Sequence, residues 1–322
     1  MKLHKNDIAM ELGTGSRRSV ATPLRLLQND NVVGYVFTAP FILGFLIFTL
    51  FPILSSLYYS FTEYNLMEAP RWIGTANYEK MFTEDDKLMK SFEVTFTYVF
   101  ASVPLRLIFA LMVAMLLNKA AAGIGVYRSA YYLPSLIGGS VAVSIMWVQI
   151  FGDKGLLNSM LGVVGIQTNT SWIGSPGTAL WTLIALSVWQ FGSSMLIFLA
   201  GLKNIPQSYY EAAGVDGANG IQRFFKITLP LLSPIILFNL IMQTISAFMT
   251  FTPAYIISRG EGGPLDNTLL YSLYLYRRAF VFFEMGYASA MAWVMLIIIG
   301  VITLAIFKSS VYWVHYESKG ER

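Results

Sequence analysis

Long apolar segments alternate with short polar segments along this chain. The apolar segments predict six membrane-spanning helices, at residues 32–61, 94–117, 129–151, 178–202, 229–257 and 285–307. Each is at least as long as the roughly 20 residues that a helix needs to cross the hydrocarbon region of a bilayer. No charged residue occurs between Lys154 and Lys203, and this stretch is too long for one helix. We therefore place an amphipathic stretch outside the membrane, at 155–177, before the fourth span.

The composition agrees with this pattern. The chain has 322 residues, of which 55% are hydrophobic and 12% are charged, and its mean hydropathy is +0.57. These values are too apolar for an ordinary soluble domain and predict an all-α, polytopic membrane protein. The formal net charge of +4 does not indicate nucleic-acid binding, and the absence of cysteine excludes disulfides and thiolate chemistry.

Six spans place both chain ends on the same side of the membrane. Of the 22 basic residues, 13 lie on that side, 8 lie in the opposite loops, and Arg106 lies within a span. Because basic residues favour the cytoplasmic side, we expect both termini in the cytoplasm and the protein in the cytoplasmic membrane of the cell. The expected organisation is a cytoplasmic tail at 1–31, a transmembrane domain at 32–309 and a cytoplasmic tail at 310–322. The polar loop at 203–228, between the fourth and fifth spans, is then cytoplasmic as well.

Sequence motifs for catalysis and metal binding are absent. The chain has no G-x-x-x-x-G-K-[ST] phosphate loop and no G-x-S-x-G motif, and its two histidines, His4 and His315, lie in the tails. None of the six spans contains a carboxylate, which ion-coupled transporters and proton relays usually need. We therefore expect a protein that is not an enzyme and binds no metal or cofactor. If it moves a solute, the energy should come from a partner.

The 203–228 loop contains the signals of a short helix and a tight turn. Ser208 and Glu211 have the S-x-x-E spacing of a capping box, which predicts that a helix begins there. The two alanines after Glu211 would give that helix a smooth surface, and Gly217 permits a tight turn after it. Such a loop is suited to being held against another protein.

A motif within this loop resembles the EAA signature of the membrane subunits of binding-protein-dependent ABC importers. The residues that carry it are Glu211, Ala212, Ala213, Asp216, Gly217, Ala218, Phe225, Ile227, Leu229, Pro230 and Pro234. The resemblance extends from Val32 to Tyr312 through further segments, namely LAGLKNIP at Leu199–Pro206, GGP at Gly262–Pro264, FPILSSLYYSFTEYN at Phe51–Asn65, WIGTANYEKMF at Trp72–Phe82 and YRSAYYLPSLIGG at Tyr127–Gly139. These segments are similar to the first permease type of the carbohydrate-uptake branch, which includes maltose, lactose and glycerol-3-phosphate permeases.

The resemblance implies an all-α type I ABC importer permease that carries a sugar or oligosaccharide. The expected partners are a second homologous permease, two ATPase subunits that carry out ATP hydrolysis, an extracytoplasmic solute-binding protein and membrane lipid. The loop would be a coupling helix seated on the ATPase, through Glu211, Ala212, Ala213, Asp216, Gly217 and Ala218. For two of these residues a simpler role stays open, because Glu211 could only complete the cap and Gly217 could only form the turn.

The solute path should be lined by polar residues within the apolar spans. In the fifth span, one helical face carries such residues at the spacing i, i+4, i+7 and i+11, namely Asn239, Gln243, Ser246 and Thr250. In the fourth span an aromatic ring and hydrogen-bonding groups fall within one turn, namely Trp189, Gln190 and Ser193. The alternative is that these side chains only join neighbouring helices, at about 0.6 kcal/mol per hydrogen bond.

Arg106 is the one charged residue within the predicted spans. Placing arginine at a helix centre costs about 2.5 to 3.5 kcal/mol, so the side chain needs an anion, water or carbonyl partners. One interpretation is that it attracts an acidic substrate, such as a uronate or a phosphorylated sugar. The other is that it is structural and bonds to the broken backbone near Pro104.

Proteins of other classes fit the pattern less well. A membrane-embedded enzyme would need a nucleophile, an acid and base pair or metal ligands in the spans, and a secondary transporter would need an intramembrane carboxylate. A structural membrane subunit without transport gives no reason for the polar stripe or the loop. A permease for another solute, such as a sugar phosphate or an acidic oligosaccharide, is the nearest alternative.

Overall fold

The computed structural model describes residues 30–119, 123–166 and 168–315. The chain divides into two compact units, Met1–Ser55 and Ser56–Arg322. Most of the predicted N-terminal tail and the last seven residues of the C-terminal tail lie outside the described residues.

The first unit contains the beginning of one long apolar helix. Helix α1 (Asp30–Phe45) continues through a π-helical turn (Leu46–Leu50) into α2 (Phe51–Ser60). Together they give an apolar helix of 27 residues, Gly34–Ser60, which is long enough to cross a membrane.

In the described residues of the second unit, the regular structure is also helical, apart from one short antiparallel pair, β1 (Thr62–Glu63) and β2 (Arg71–Trp72). Its helices are α3 (Ala76–Thr83), α4 (Asp86–Leu117), α5 (Ile124–Ile137), α6 (Val141–Phe151), α7 (Leu156–Val163), α8 (Ala179–Trp189), α9 (Gly192–Asn204), α10 (Gln207–Val215), α11 (Gly220–Arg223), α12 (Leu229–Phe248), α13 (Thr252–Ile257), α14 (Tyr271–Tyr276) and α15 (Met285–Trp313). Two further π-helical turns lie at Phe224–Thr228 and Arg277–Val281.

In the described part of the chain, four helices are long and apolar enough to span a membrane, or up to six if each bent pair forms one span. The chain bends by 98° between α5 and Val141–Val163, and by 41° between α8 and α9. The first break follows from local sequence, because two glycines end α5 and the hydroxyl of Ser140 then caps α6 by accepting a hydrogen bond from the Val143 N–H. The structure confirms the all-α membrane fold, although the hydrophobic pattern predicts neither break.

Helix α4 is the centre of the core. It packs against α8, α9 and α12, and small or branched apolar side chains along it are buried. The facing side chains are fully enclosed and include Leu183, Met195, Phe198 and Leu232. Close packing of this kind fixes the positions of the polar residues that the same helices carry.

Candidate functional site

A polar cavity of about 540 Å³ lies between α4, α8, α12 and the segment that follows α12. Its apolar walls come mainly from aliphatic and methionine side chains, together with the ring of Phe251. Its polar lining residues are Tyr98, Arg106, Ser187, Gln190, Gln243, Ser246, Thr250 and Thr252. Polar groups in an otherwise apolar bundle give a cavity that can hold water or a hydrophilic solute.

Four of the seven predicted path residues line this cavity: Gln190, Gln243, Ser246 and Thr250. Gln243 and Ser246 lie on α12, whereas Gln190 lies at the break between α8 and α9. Thr250 lies in the turn after α12, which ends at Phe248. Thr250 therefore lies beyond the helical face from which the i, i+11 spacing predicts it, yet it still lines the cavity.

The other three predicted path residues lie elsewhere. Asn239 is 1% exposed, and its side-chain amide donates a 3.1 Å hydrogen bond to the Ile235 carbonyl of its own helix. Trp189 lines a separate apolar groove, where its ring lies 5.9 Å from that of Trp147. The backbone N–H of Ser193 donates to the Ser135 hydroxyl at 2.9 Å.

Gln243 both lines the cavity and joins two helices. Its Nε2 donates a 3.0 Å hydrogen bond to the hydroxyl of Ser194, which is fully buried on α9. Gln243 therefore lines the cavity and joins α12 to α9 at the same time.

Gln190 connects three segments at the break between α8 and α9. Its carbonyl oxygen, free because the helix is interrupted, accepts hydrogen bonds from Arg106 Nη2 at 2.5 Å and from Ser135 Oγ at 2.8 Å. Its side-chain Nε2 donates to the Gly138 carbonyl at 3.1 Å. A Cβ atom at Gly138 would lie 2.3 Å from Gln190 Cγ, so this approach requires glycine. The backbone partner of Arg106 is therefore Gln190, and not the backbone near Pro104 that the sequence suggests.

Sequence reasoning missed several residues of this region. Ser187 lies one helical turn before Gln190, and that spacing is a signal that could have found it. Tyr98 and Ser135 belong to other segments, and their approach to Gln190 or the cavity depends on tertiary packing.

The 203–228 loop forms two short helices joined by a turn. The prediction that Ser208 and Glu211 form a capping box is wrong, because α10 begins at Gln207, with Pro206 and not Ser208 at the N-cap and no side-chain cap hydrogen bond. Gly217 has a φ of +76°, as the predicted tight turn requires. A capping box does occur in the loop, at Asn219 and Gln222 of α11.

One hydrogen bond joins α10 to the N-cap residue of α12, and a second lies within the loop itself. The hydroxyls of Tyr210 and Thr228 lie 2.9 Å apart, and Arg223 Nε donates to the Ala218 carbonyl at 2.9 Å. The outer surface of the loop is exposed and partly apolar, with Val215 at 90% and Ile221 at 71% exposure. Glu211, Ala212, Asp216 and Gly217 are also exposed, and Ala213 and Ala218 are half-buried. The loop thus presents a surface while its inner side contacts a helix that lines the cavity.

A buried ionic network lies at the beginning of α4. The Asp85 carboxylate accepts hydrogen bonds from Tyr274 Oη at 2.7 Å, Tyr287 Oη at 2.6 Å and Arg278 Nη2 at 2.8 Å. Arg278 also pairs with Glu284 at 2.8 Å. Burial alone would raise the pKa of Asp85, but the two tyrosine hydroxyls and the charge of Arg278 outweigh it and hold that pKa below its ordinary value.

Comparison with known proteins shows the family to which the chain belongs. A family model described as binding-protein-dependent transport system inner membrane component matches residues 87–314. The chain is 66% identical, over 96% of its length and 100% of the relative's, to the probable ABC transporter permease protein YesP of Bacillus subtilis (strain 168). It is 34% identical, over 88% of its length and 90% of the relative's, to the arabinooligosaccharides transport system permease protein AraP of the same organism. It is 33% identical to the lactose transport system permease protein LacF of Rhizobium radiobacter, over 86% and 93% of the two chains.

A solved structure has a fold similar to that of this chain. A chain of a bacterial ABC transporter involved in the import of the acidic polysaccharide alginate superposes with a TM-score of 0.72, over 89% of this chain and 97% of that one. The sequence identity is 21%, so this likeness concerns the fold.

Proposed function

Because the chain belongs to the family of binding-protein-dependent transport system inner membrane components, we propose that it is one permease subunit of an ATP-driven importer of a sugar or oligosaccharide. The proposal rests on the connection between the 203–228 loop and the cavity. The exposed loop is hydrogen-bonded to the beginning of α12, and α12 lines the polar cavity. A movement imposed on the loop from outside would therefore reach the cavity through one helix.

The substrate class is supported by the relatives and by the cavity. Relatives of the chain are named for arabinooligosaccharides and lactose. A cavity of about 540 Å³ is within the usual range of small-molecule sites, about 300 to 1,000 Å³. Its amides and hydroxyls, beside the ring of Phe251, are the groups that bind the hydroxyls and the apolar faces of a sugar.

We propose that ATP hydrolysis takes place in separate ATPase subunits, on which the loop rests. Glu211, Ala212, Ala213, Asp216, Gly217 and Ala218 would form or shape the contact. The exposed Val215 and Ile221 would become buried there, which would account for apolar side chains on an otherwise polar loop. The short rigid helix α10 then acts as a lever against Thr228.

The remaining partners follow from the family. The chain would pair with a second, homologous permease around the solute path, and a solute-binding protein outside the membrane would deliver the sugar. Both termini and the loop would lie in the cytoplasm, in agreement with the distribution of basic residues.

Reconstitution tests this proposal. The complete complex, with both permeases, the ATPase and the solute-binding protein, is placed in liposomes and supplied with radiolabelled oligosaccharides. We expect accumulation that requires both ATP and the binding protein. Uptake without ATP, or no uptake of any sugar that the binding protein binds, would contradict the proposal.

A further inference from the structure

We infer that Arg106 forms a subsite for a negatively charged group on the transported sugar, either a uronate carboxylate or a phosphate. The inference rests on the proposed sugar import and narrows the substrate to sugars that carry a negative charge. Arg106 lines the cavity together with Gln190, Gln243 and Tyr98.

Among the described residues, Arg106 has no ion-pair partner. The described residues that line the cavity include no aspartate or glutamate, and none of the ion pairs found in the described chain involves Arg106. An arginine inside the membrane region is unfavourable by about 2.5 to 3.5 kcal/mol unless something compensates it. An anion that enters the cavity would supply that compensation.

The hydrogen-bonding groups of Arg106 are only partly used. A guanidinium has five N–H donors. Nη2 donates to the Gln190 carbonyl at 2.5 Å, whereas Nε is enclosed without a partner, and Nη1 makes no hydrogen bond to a described residue. The enclosed Nε is not accessible to a ligand, but Nη1 and the second hydrogen of Nη2 remain as donors for a two-oxygen acceptor such as a carboxylate or phosphate.

A purely structural role does not explain a charged residue here. The Gln190 carbonyl already accepts a 2.8 Å hydrogen bond from Ser135 Oγ, so the helix break does not depend on Arg106 for its partner. A neutral side chain at position 106 would leave that carbonyl satisfied. The bond to Gln190 fixes the direction of the guanidinium, and its positive charge is left available to an anion in the cavity.

Direct binding to the purified complex tests this inference, because the solute-binding protein selects sugars by itself and is left out. Equilibrium dialysis uses trigalacturonate, its carboxyl-reduced counterpart trigalactose, and galactose 6-phosphate. We expect the better of the two anionic sugars to bind about tenfold more tightly than the neutral one. A factor of this size is what one hydrogen bond to a charged group contributes to binding. The preferred anion identifies the source as uronate or phosphate.

Variants of Arg106 and Ser135 distinguish recognition of the anion from a structural role of Arg106. Arg106→Gln should weaken binding of the preferred anion by about tenfold more than it weakens binding of trigalactose. Arg106→Lys should retain part of the preference for the anion, and the control Ser135→Ala should keep it. Equal binding of anionic and neutral sugars by the unchanged complex, or an equal loss for both in Arg106→Gln, would overturn the inference. If the complex imports neutral sugars with ATP but shows no anion preference, only the subsite is wrong; if it imports no sugar, the proposed function itself fails.

Discussion

The hydroxyl groups of Tyr210 and Thr228 lie 2.9 Å apart and join helix α10 of the loop to the beginning of α12. Thr228 is buried, and α12 continues from it to Gln243 at the cavity. A helix can carry a displacement from one end to the other, so under the proposed function this hydrogen bond would connect the loop surface to the cavity.

Removing this hydrogen bond should weaken the coupling. Tyr210→Phe keeps the aromatic ring and removes the hydroxyl, which contributes about 0.5 to 1.5 kcal/mol. We expect the sugar taken up per ATP hydrolysed to fall a few-fold in reconstituted liposomes. The neighbouring Tyr209→Phe is the control, since Tyr209 is exposed and should change nothing. Equal ratios in the two variants would show that the hydrogen bond has no part in coupling.

The cavity residues should affect selectivity more than assembly. Gln243→Leu and Thr250→Leu remove polar groups from the lining, so we expect an altered order of preference among transported sugars at normal complex yield. The control is Ser194→Ala, which removes the partner of Gln243 on α9 but no lining residue. A transport profile that changes equally in Ser194→Ala would indicate that Gln243 acts only by joining helices.

Gly138 should tolerate no side chain, because a Cβ would lie 2.3 Å from Gln190 Cγ and 2.6 Å from the Pro134 carbonyl oxygen. Forcing extra atoms into a packed interior costs about 1 to 3 kcal/mol. Gly138→Ala should therefore lower the thermal unfolding midpoint of the purified protein. The adjacent Gly139 has nothing within 4 Å, and Gly139→Ala should leave the midpoint almost unchanged. Similar midpoints for both variants would contradict the packing at Gln190.

The Asp85 network should give a pH-dependent stability. The pKa of Asp85 is depressed in the folded protein, so its stabilisation is complete above the ordinary value of 3.8 and is lost as the pH falls through the folded value. Asp85→Asn should lower stability at pH 7 by about 1.5 to 3 kcal/mol, the range for hydrogen bonds to a charged group. The variant should also lose less stability than the unchanged protein as the pH falls below 4. Thermal unfolding over a pH series measures both effects.

The control for Asp85 is an exposed ion pair. Glu63 pairs with Arg71 at the surface, where such pairs contribute about 0 to 1 kcal/mol. Glu63→Gln should therefore leave the unfolding midpoint and its pH dependence nearly unchanged. An Asp85→Asn variant that behaves in the same way would show that the network does not stabilise the fold.

The sequence predicts the all-α membrane fold because apolar length is a local property, and it predicts the turn at Gly217 because only a few residues adopt that conformation readily. It does not predict the start of α10, where Pro206 takes the N-cap in place of Ser208. The partners of Arg106 could not be predicted, since Gln190 lies 84 residues away along the chain. Asn239 fits the polar stripe by spacing, yet helix packing buries it outside the cavity.

The central claim is that the 203–228 loop couples ATP hydrolysis to sugar uptake. Gly217 has a φ of +76° and open space around it, so Gly217→Val strains the turn without a clash. A residue held in such a conformation costs about 1 to 3 kcal/mol, which favours a rearranged turn. Gly220 lies in the same loop with equally open space and a φ that is not positive, which makes Gly220→Val the matched control.

The most direct measurement is the amount of sugar accumulated per ATP hydrolysed in liposomes that contain the complete complex. We predict that Gly217→Val, and also Glu211→Ala, assemble normally and hydrolyse ATP but accumulate far less sugar per ATP than Gly220→Val and the unchanged protein. If Gly217→Val and Glu211→Ala accumulate as much sugar per ATP as the control, the loop does not couple hydrolysis to transport.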